Sequence, residues 1–264
     1  MNITQLRNAT VVLEFKGPQG SPVSVLVDPM LARGGALPSL KWVTGARRRN
    51  PLVDLPAGSD EVLARVTHGL ITHCRKGHFD HLDRAGAAFL KRRGLPVFCM
   101  PDDKDHLVAR GIAAAPLQGA VRQPFFHGHI TPIPCVHGRG WVGRLMAHGF
   151  GYFIELPGEP TVYLAGDTLL SDEVAHCLST LKPDVSVLPA GGARFDLGGE
   201  ILMDEADLCH ALALTPGRVV ANHLEALDHC PVTRQGLADA AWRAGVGARL
   251  HIPADGQVLT FPGA

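Results

Sequence analysis

Short apolar, β-branched runs alternate with clusters of turn residues along most of the chain. Positions 9–15 and 23–27 are two such runs, and Gly17, Pro18, Gly20 and Pro22 between them predict a hairpin. Asp28-Pro29 stops the second strand. Residues 29–60 are rich in Gly, Pro and Arg and show no period, which predicts a long loop of the kind that is usually functional or mobile. Strands are predicted at 66–72 and 96–100, and helices at 84–93 and 102–110, the latter opening with Asp where an acid suits the helix dipole. In the second half, 152–156 and 161–165 flank Pro157-Gly158 as a second hairpin. Helices follow at 171–180, with Ser171 as N-cap and Glu173 in the first turn, at 204–214, and at 233–243 behind Thr233. The remaining predicted strands are 185–188, 218–221, 249–252 and 257–261. No repeat, low-complexity tract or Pro/Ser-rich linker divides the chain, so 1–264 reads as one domain of mixed sheets covered by helices.

The strongest chemical signal follows the strand at 66–72. His73, His78, Asp80 and His81 place three histidines and an aspartate within nine residues, directly after a strand end. Imidazoles and carboxylates are the ligands that borderline divalent metals prefer. The bland alternative is that His and Asp are common turn and capping residues. Three more residues stand where predicted strands stop: His137 after Ile133-Pro134-Cys135-Val136, Asp167 in Ala165-Gly166-Asp167-Thr168, and His223 after Asn222. Each alone reads as an ordinary turn or core residue. Together they are four strand ends that mixed sheets can gather along one edge.

Composition narrows the class. The 264 residues carry 25 Lys+Arg against 25 Asp+Glu, so no net field draws the chain to nucleic acid or anionic lipid. Hydrophobic residues at 46% exclude disorder, and no apolar run reaches the roughly 18 residues of a membrane span. The first residues lack the basic and apolar regions of a signal peptide. Six scattered cysteines without a CxxC pair predict reduced thiols and a cytoplasmic location. The expected partner is a small-molecule substrate, with neither nucleic acid nor membrane; a homo-oligomer is left open.

The order Thr72-His73, His78-Phe79-Asp80-His81, a lone His137, Gly166-Asp167-Thr168 and a strand-end His223 resembles the metallo-β-lactamase-fold hydrolase superfamily over nearly the whole chain. Leu188-Pro189-Ala190-Gly191-Gly192 followed by Met203-Asp204-Glu205-Ala206 resembles the branch containing ascorbate-6-phosphate lactonase. The resemblance implies an α+β fold, a four-layer αβ/βα sandwich. It implies that His73, His78 and His137 hold one divalent metal, that Asp80, His81 and His223 hold a second, and that Asp167 bridges them. Zinc is the first expectation, with manganese and iron as alternatives. Two ions sharing a water generate hydroxide at neutral pH, with Asp80 as the catalytic residue that orients it or carries a proton. Thr72, Asp83, Thr168 and Glu225 are candidates for orienting the imidazoles.

One feature departs from the superfamily. Its motif has a single residue between the first two histidines, whereas Cys74, Arg75, Lys76 and Gly77 separate His73 from His78. Either Gly77 lets the loop bulge and return His78 to register, or His73 no longer reaches a metal. Three functions follow: hydrolysis of a lactone or similar ester, hydrolysis of a phosphodiester, or a non-catalytic metal- or ligand-binding module with a degenerate first site. Specificity is expected in residues 29–60 and 138–149.

Weaker signals complete the reading. Arg47-Arg48-Arg49 suits a substrate anion or plain solvent; Trp42 and Trp141 suit a cleft or simple packing. His229 is close in sequence to His223 but reads better as a capping or surface residue. His127 and His129 alternate along a predicted strand, and His68, His106, His148, His176, His210 and His251 have no ligand-like context.

Overall fold

The computed structural model describes every residue except Trp42, Thr44, Gly45, Ala46, Lys76, Ala147, His148, Leu197 and Ala264. The readings of Trp42 and His148 therefore lie outside the described residues. The first sheet holds β1 (Asn2–Arg7), β2 (Thr10–Lys16), β3 (Pro22–Val27), β4 (His68–Leu70), β5 (Pro96–Cys99) and β6 (Ala113–Pro116), and is joined at the β1 edge by β14 (Val258–Thr260). The second runs in order from β7 (Gln123–Phe125) through β8 (Gly128–Pro134), β9 (Phe150–Glu155), β10 (Val162–Leu164), β11 (Val185–Pro189) and β12 (Arg218–Asn222) to β13 (Leu250–His251).

Both predicted hairpins form. Val11 pairs with Val27 across β2 and β3, and Tyr163 with Phe153 across β9 and β10, both antiparallel. From β3 to β6 and from β10 to β13 the pairing is parallel. Parallel neighbours need crossovers, and the crossover segments carry helices that cover the outer faces. These are α1 (Ser59–Ala64), α2 (Arg84–Arg93) and α3 (Pro101–Val108) on the first sheet, with α5 (Asp172–His176), α6 (Glu205–Leu214) and α7 (Arg234–Arg243) on the second. A further short helix, α4 (Gly140–Leu145), follows β8.

Alternate residues of single strands go to different layers. Val11, Leu13, Val25 and Val27 face Ile154, Val162, Leu164 and Val187 between the sheets. Val12 and Leu26 face outward, packing with Leu63 of α1, Phe89 and Leu90 of α2 and Leu107 of α3. Phe153, Tyr163, Leu188 and Val219 pack outward with Val174 of α5, Leu208 and Leu212 of α6 and Leu237 of α7. Because both faces are covered, the strands read as continuous apolar runs rather than strict alternation. The result is the four-layer α+β sandwich.

Several elements differ from the sequence expectation. The strand predicted at 66–72 is only His68–Leu70, and the described residues of 71–83 lie outside any strand or helix. The helix predicted at 171–180 stops at His176 and ends in a wider turn, Cys177–Leu181. His127 lies in the turn before β8, so only His129 sits on that strand. β1, β6 and α4 carry too few apolar residues in period to be predicted. All six cysteines are free, and five of them are buried.

Candidate metal centre

The carboxyl ends of β3, β4, β8, β10 and β12 meet along one edge of the sandwich, and each delivers part of the site. Asp28 follows β3; His73, His78, Asp80 and His81 lie in the loop after β4; His137 follows β8, Asp167 β10 and His223 β12. Parallel pairing of β10, β11 and β12 forces Asp167 and His223 to the same edge.

The side chains form two adjoining clusters. Ligand atoms of His73, His78 and His137 lie within 4.8 Å of one another, as do those of Asp80, His81, Asp167 and His223; all seven are buried. Asp167 stands between them, its Oδ2 at 3.0 Å from His81 Nε2, 3.5 Å from His223 Nε2 and 3.6 Å from His137 Nε2. Asp80 Oδ2 is 3.5 Å from His223 Nε2 and 3.6 Å from His81 Nε2. Gly77 takes φ +84°, and the loop turns so that the His78 ring comes within 4.4 Å of the His73 ring. The longer spacing thus still leaves both imidazoles in one cluster, with Cys74 turned into the core beneath α2.

Hydrogen bonds behind the rings aim them inward. His81 Nδ1 meets Asp28 Oδ2 at 2.9 Å, His137 Nδ1 meets the Ile201 carbonyl at 2.9 Å, and His78 Nδ1 meets the Arg75 carbonyl at 2.5 Å. His73 Nδ1 lies 3.1 Å from Thr72 Oγ1, and His223 Nδ1 3.5 Å from Cys230 Sγ. With Nδ1 engaged, Nε2 is turned to the centre, the arrangement found behind metal-bound histidines, although His223 Nε2 also lies 3.2 Å from Asn8 Nδ2. Asp28 is itself held by the Thr72 amide at 2.8 Å and the Thr72 hydroxyl at 2.7 Å.

Of the four residues expected to orient imidazoles, only Thr72 touches one. Asp83 instead caps α2 through Gly86 N and accepts from Ala32 N. Thr168 supports the Val136 amide next to His137, and Glu225 pairs with Arg234. Asp28 does the work expected of them. Its place before Pro29 made it look like a strand stop, and only the parallel β3–β4 pairing shows otherwise.

Electrostatics fit a cation. Burial, then the neighbouring His81 and His78, push His73 well below the ordinary imidazole range, and burial brings His137 down to about 4. Both are therefore neutral at pH 7, as ligands must be. Burial pushes Asp80 and Asp167 up, but the facing His81 and His223 outweigh it and keep both ionised. Those same carboxylates raise His81 and His223 against their burial. The Nε2 atoms of His73 and His78 and Oδ1 of Asp167 are buried without a hydrogen-bond partner. Orphaned buried acceptors of this kind are costly, and a divalent ion satisfies several at once.

Above the clusters lies a pocket of about 100 Å³, floored by His78, Asp80, His137 and Asp167 and walled by Leu40, Met146, Phe195, Ile201 and His229. Leu40 comes from the predicted long loop, and Asp228 ties down the stretch around it, with Asp196 accepting from Val43 N nearby. Asp228 Oδ1 accepts from Leu40 N and Asn50 Nδ2, both at 3.0 Å, and Oδ2 from Ser39 Oγ. Asn50 Oδ1 returns the contact to Asp228 N at 2.9 Å. His229, expected as a capping or surface residue, is 3% exposed and lines the pocket. None of Arg47, Arg48 and Arg49 lines the pocket; Arg49 bonds back to the Gly35 and Ala36 carbonyls. Trp141 is exposed on α4 and is also outside it.

No family model matches the chain. A UPF0173 metal-dependent hydrolase of Azorhizobium caulinodans is 30% identical over 210 residues, covering 76% of this chain and 77% of its own. The crystal structure of an isothiocyanate hydrolase from Delia radicum gut bacteria is 30% identical, with each chain covered over 100% of its length and a TM-score of 0.87. A metallo-β-lactamase fold protein of Bacillus subtilis shares the fold, at 14% identity, 98% coverage of each chain and a TM-score of 0.63. Two mixed sheets enclosed by helices, carboxylates and imidazoles converging at one sheet edge, and these likenesses agree: the chain belongs to the UPF0173 family of metal-dependent hydrolases, with the metallo-β-lactamase fold.

Proposed function

We propose that the chain acts as one catalytic unit that hydrolyses a small, uncharged, ester-like substrate, a lactone or a simple carboxylic ester. The observation that carries this reading is the pocket: a polar floor of candidate metal ligands beneath apolar walls, with no Lys or Arg among the described lining residues. A phosphodiester carries a charge that Arg or Lys on the walls would bind strongly. A neutral carbonyl compound needs only shape and apolar contact.

In this reading His73, His78 and His137 would hold one divalent ion and Asp80, His81 and His223 a second, with Asp167 available to either. Five imidazoles with only two carboxylates favour zinc. Bound there, such ions supply Lewis acidity, polarising a carbonyl oxygen and lowering the pKa of a water towards about 7. Asp80 accepts a hydrogen bond from the attacking water and so orients it. As the new carbon–oxygen bond forms and the ester bond breaks, Asp80 passes the water's proton to the departing oxygen. Leu40, Met146, Phe195 and Ile201 hold the acyl group and exclude bulk water.

A second reading draws on the isothiocyanate hydrolase likeness. An isothiocyanate is also small and uncharged, with an electrophilic carbon, and suits the same walls. The test is metal analysis of protein purified without added metal, then turnover of γ-lactones, 4-nitrophenyl acetate, an aryl isothiocyanate and bis(4-nitrophenyl) phosphate. Two metal equivalents with ester or lactone turnover support the proposal. Preference for the isothiocyanate selects the second reading, and preference for the phosphate refutes both.

A further inference from the structure

His229 is a pocket wall with no role in either cluster. Its ring lies almost parallel to Phe195, centroids 5.9 Å apart at 12°. Its Nδ1 lies 4.0 Å from Cys230 Sγ, and the same sulfur is 3.5 Å from His223 Nδ1. Cys230 thus stands between a candidate metal ligand and a pocket residue. If His223 uses Nε2 as a ligand, its Nδ1 carries the proton and donates to the sulfur. The thiol hydrogen then has His229 Nδ1 as its acceptor, which puts the His229 ring proton on Nε2. With Nδ1 facing the sulfur, His229 Nε2 is the donor, and among the described residues it has no hydrogen-bond partner.

The other pocket side chains cannot fill this role. His78, His137, Asp80 and Asp167 belong to the two clusters, and Leu40, Met146, Phe195 and Ile201 have no polar hydrogen. We infer that His229, held by Cys230, is a specificity-determining residue that donates a hydrogen bond from Nε2 to an acceptor heteroatom on the uncharged substrate, beyond the scissile bond. This rests on the hydrolase reading of the site. A hydroxyl or ether oxygen on the acyl chain is the group such a donor selects. A site that offers a buried donor discriminates against an analogue lacking the acceptor, because the donor is then left unpaired.

Two measurements test this on the zinc-loaded protein. The first compares 4-nitrophenyl methoxyacetate with 4-nitrophenyl propionate, each corrected for its uncatalysed rate. The expected preference for the ether is roughly 3- to 10-fold in kcat/KM, the size of one neutral hydrogen bond. It should vanish in His229→Phe, which can still stack on Phe195, and persist in His229→Gln, with metal content unchanged in both. The second is the nitrogen-15 spectrum of the imidazoles, which should show His229 protonated at Nε2, and Cys230→Ala should mix its tautomers. An ether preference that survives in His229→Phe, no preference in the wild type, or a proton on Nδ1 alone overturns the assignment. If the wild type binds zinc but hydrolyses neither ester, the proposed function falls, while the spectrum still decides how His229 is held.

Discussion

Asp28→Asn isolates what the carboxylate behind His81 contributes. Asp28 sits at φ +46°, in the left-handed region that Asn tolerates, so the backbone need not move. The wild-type carboxylate accepts three hydrogen bonds, from His81 Nδ1 at 2.9 Å, Thr72 N at 2.8 Å and Thr72 Oγ1 at 2.7 Å. An amide offers one acceptor oxygen where the carboxylate offered two, so its NH₂ group must face either the Thr72 amide or the His81 edge, each of which is a donor. At least one charge-assisted bond is therefore lost, worth about 1.5–3 kcal/mol in a buried setting. Because the lost partner aims a candidate ligand, the expected effect is roughly a 10- to 100-fold loss of metal affinity. Competition for zinc against a chromophoric chelator reads it directly, and a thermal melt of metal-free protein separates it from a general loss of stability. Metal affinity equal to that of the wild type would show that His81 does not depend on Asp28, and the account of the hydrogen bonds behind the rings would be wrong.

Three other outcomes follow. In Gly191→Ala the added methyl would stand 2.3 Å from the His223 carbonyl oxygen, so the strand end must shift; a loss of about 1–3 kcal/mol in urea unfolding is expected, together with weaker zinc retention. Leu26→Ala, fully buried beneath the helices of the first sheet, should cost about 2–5 kcal/mol in the same assay and leave the ester-to-lactone rate ratio unchanged. Burial pushes Asp228 up, but hydrogen bonds from Ser39, Asn50, Leu40 and Arg48 outweigh it and hold the carboxylate below its ordinary range. Its stabilising effect is present above the unfolded value of about 3.9 and disappears as pH falls through the lower folded value. The melting temperature of the wild type minus that of Asp228→Asn should therefore shrink on acidification through that window; a difference independent of pH would count against the network.

How much was legible follows from the range of each signal. His73, His78, Asp80 and His81 cluster in sequence, and His137, Asp167 and His223 stand at strand ends that local β-branched runs mark clearly. Their convergence depends on parallel pairing, which the superfamily resemblance supplied and composition could not. Asp28 and His229 were misjudged for the same reason. One sits in an Asp-Pro strand stop and the other in a loop, and their partners Thr72 and Phe195 lie 44 and 34 positions away in the chain. The strands at 113–116 and 123–125 were missed because Ala, Pro and Gln give no period; their neighbours in the sheets specify them. The residues inserted after His73 left two outcomes open, and Gly77 at a positive φ is what brought about the first.

The tie made by Asp228 couples two regions far apart in the chain. It fastens the backbone of Leu40 to the residue immediately before His229, so two walls of the pocket share one anchor. Exchanging residues 35–50 between relatives as a cassette should therefore transplant substrate preference only when the anchor carboxylate and its asparagine travel together. Separated, they would leave the candidate metal clusters intact beneath a mouth that no longer keeps its shape.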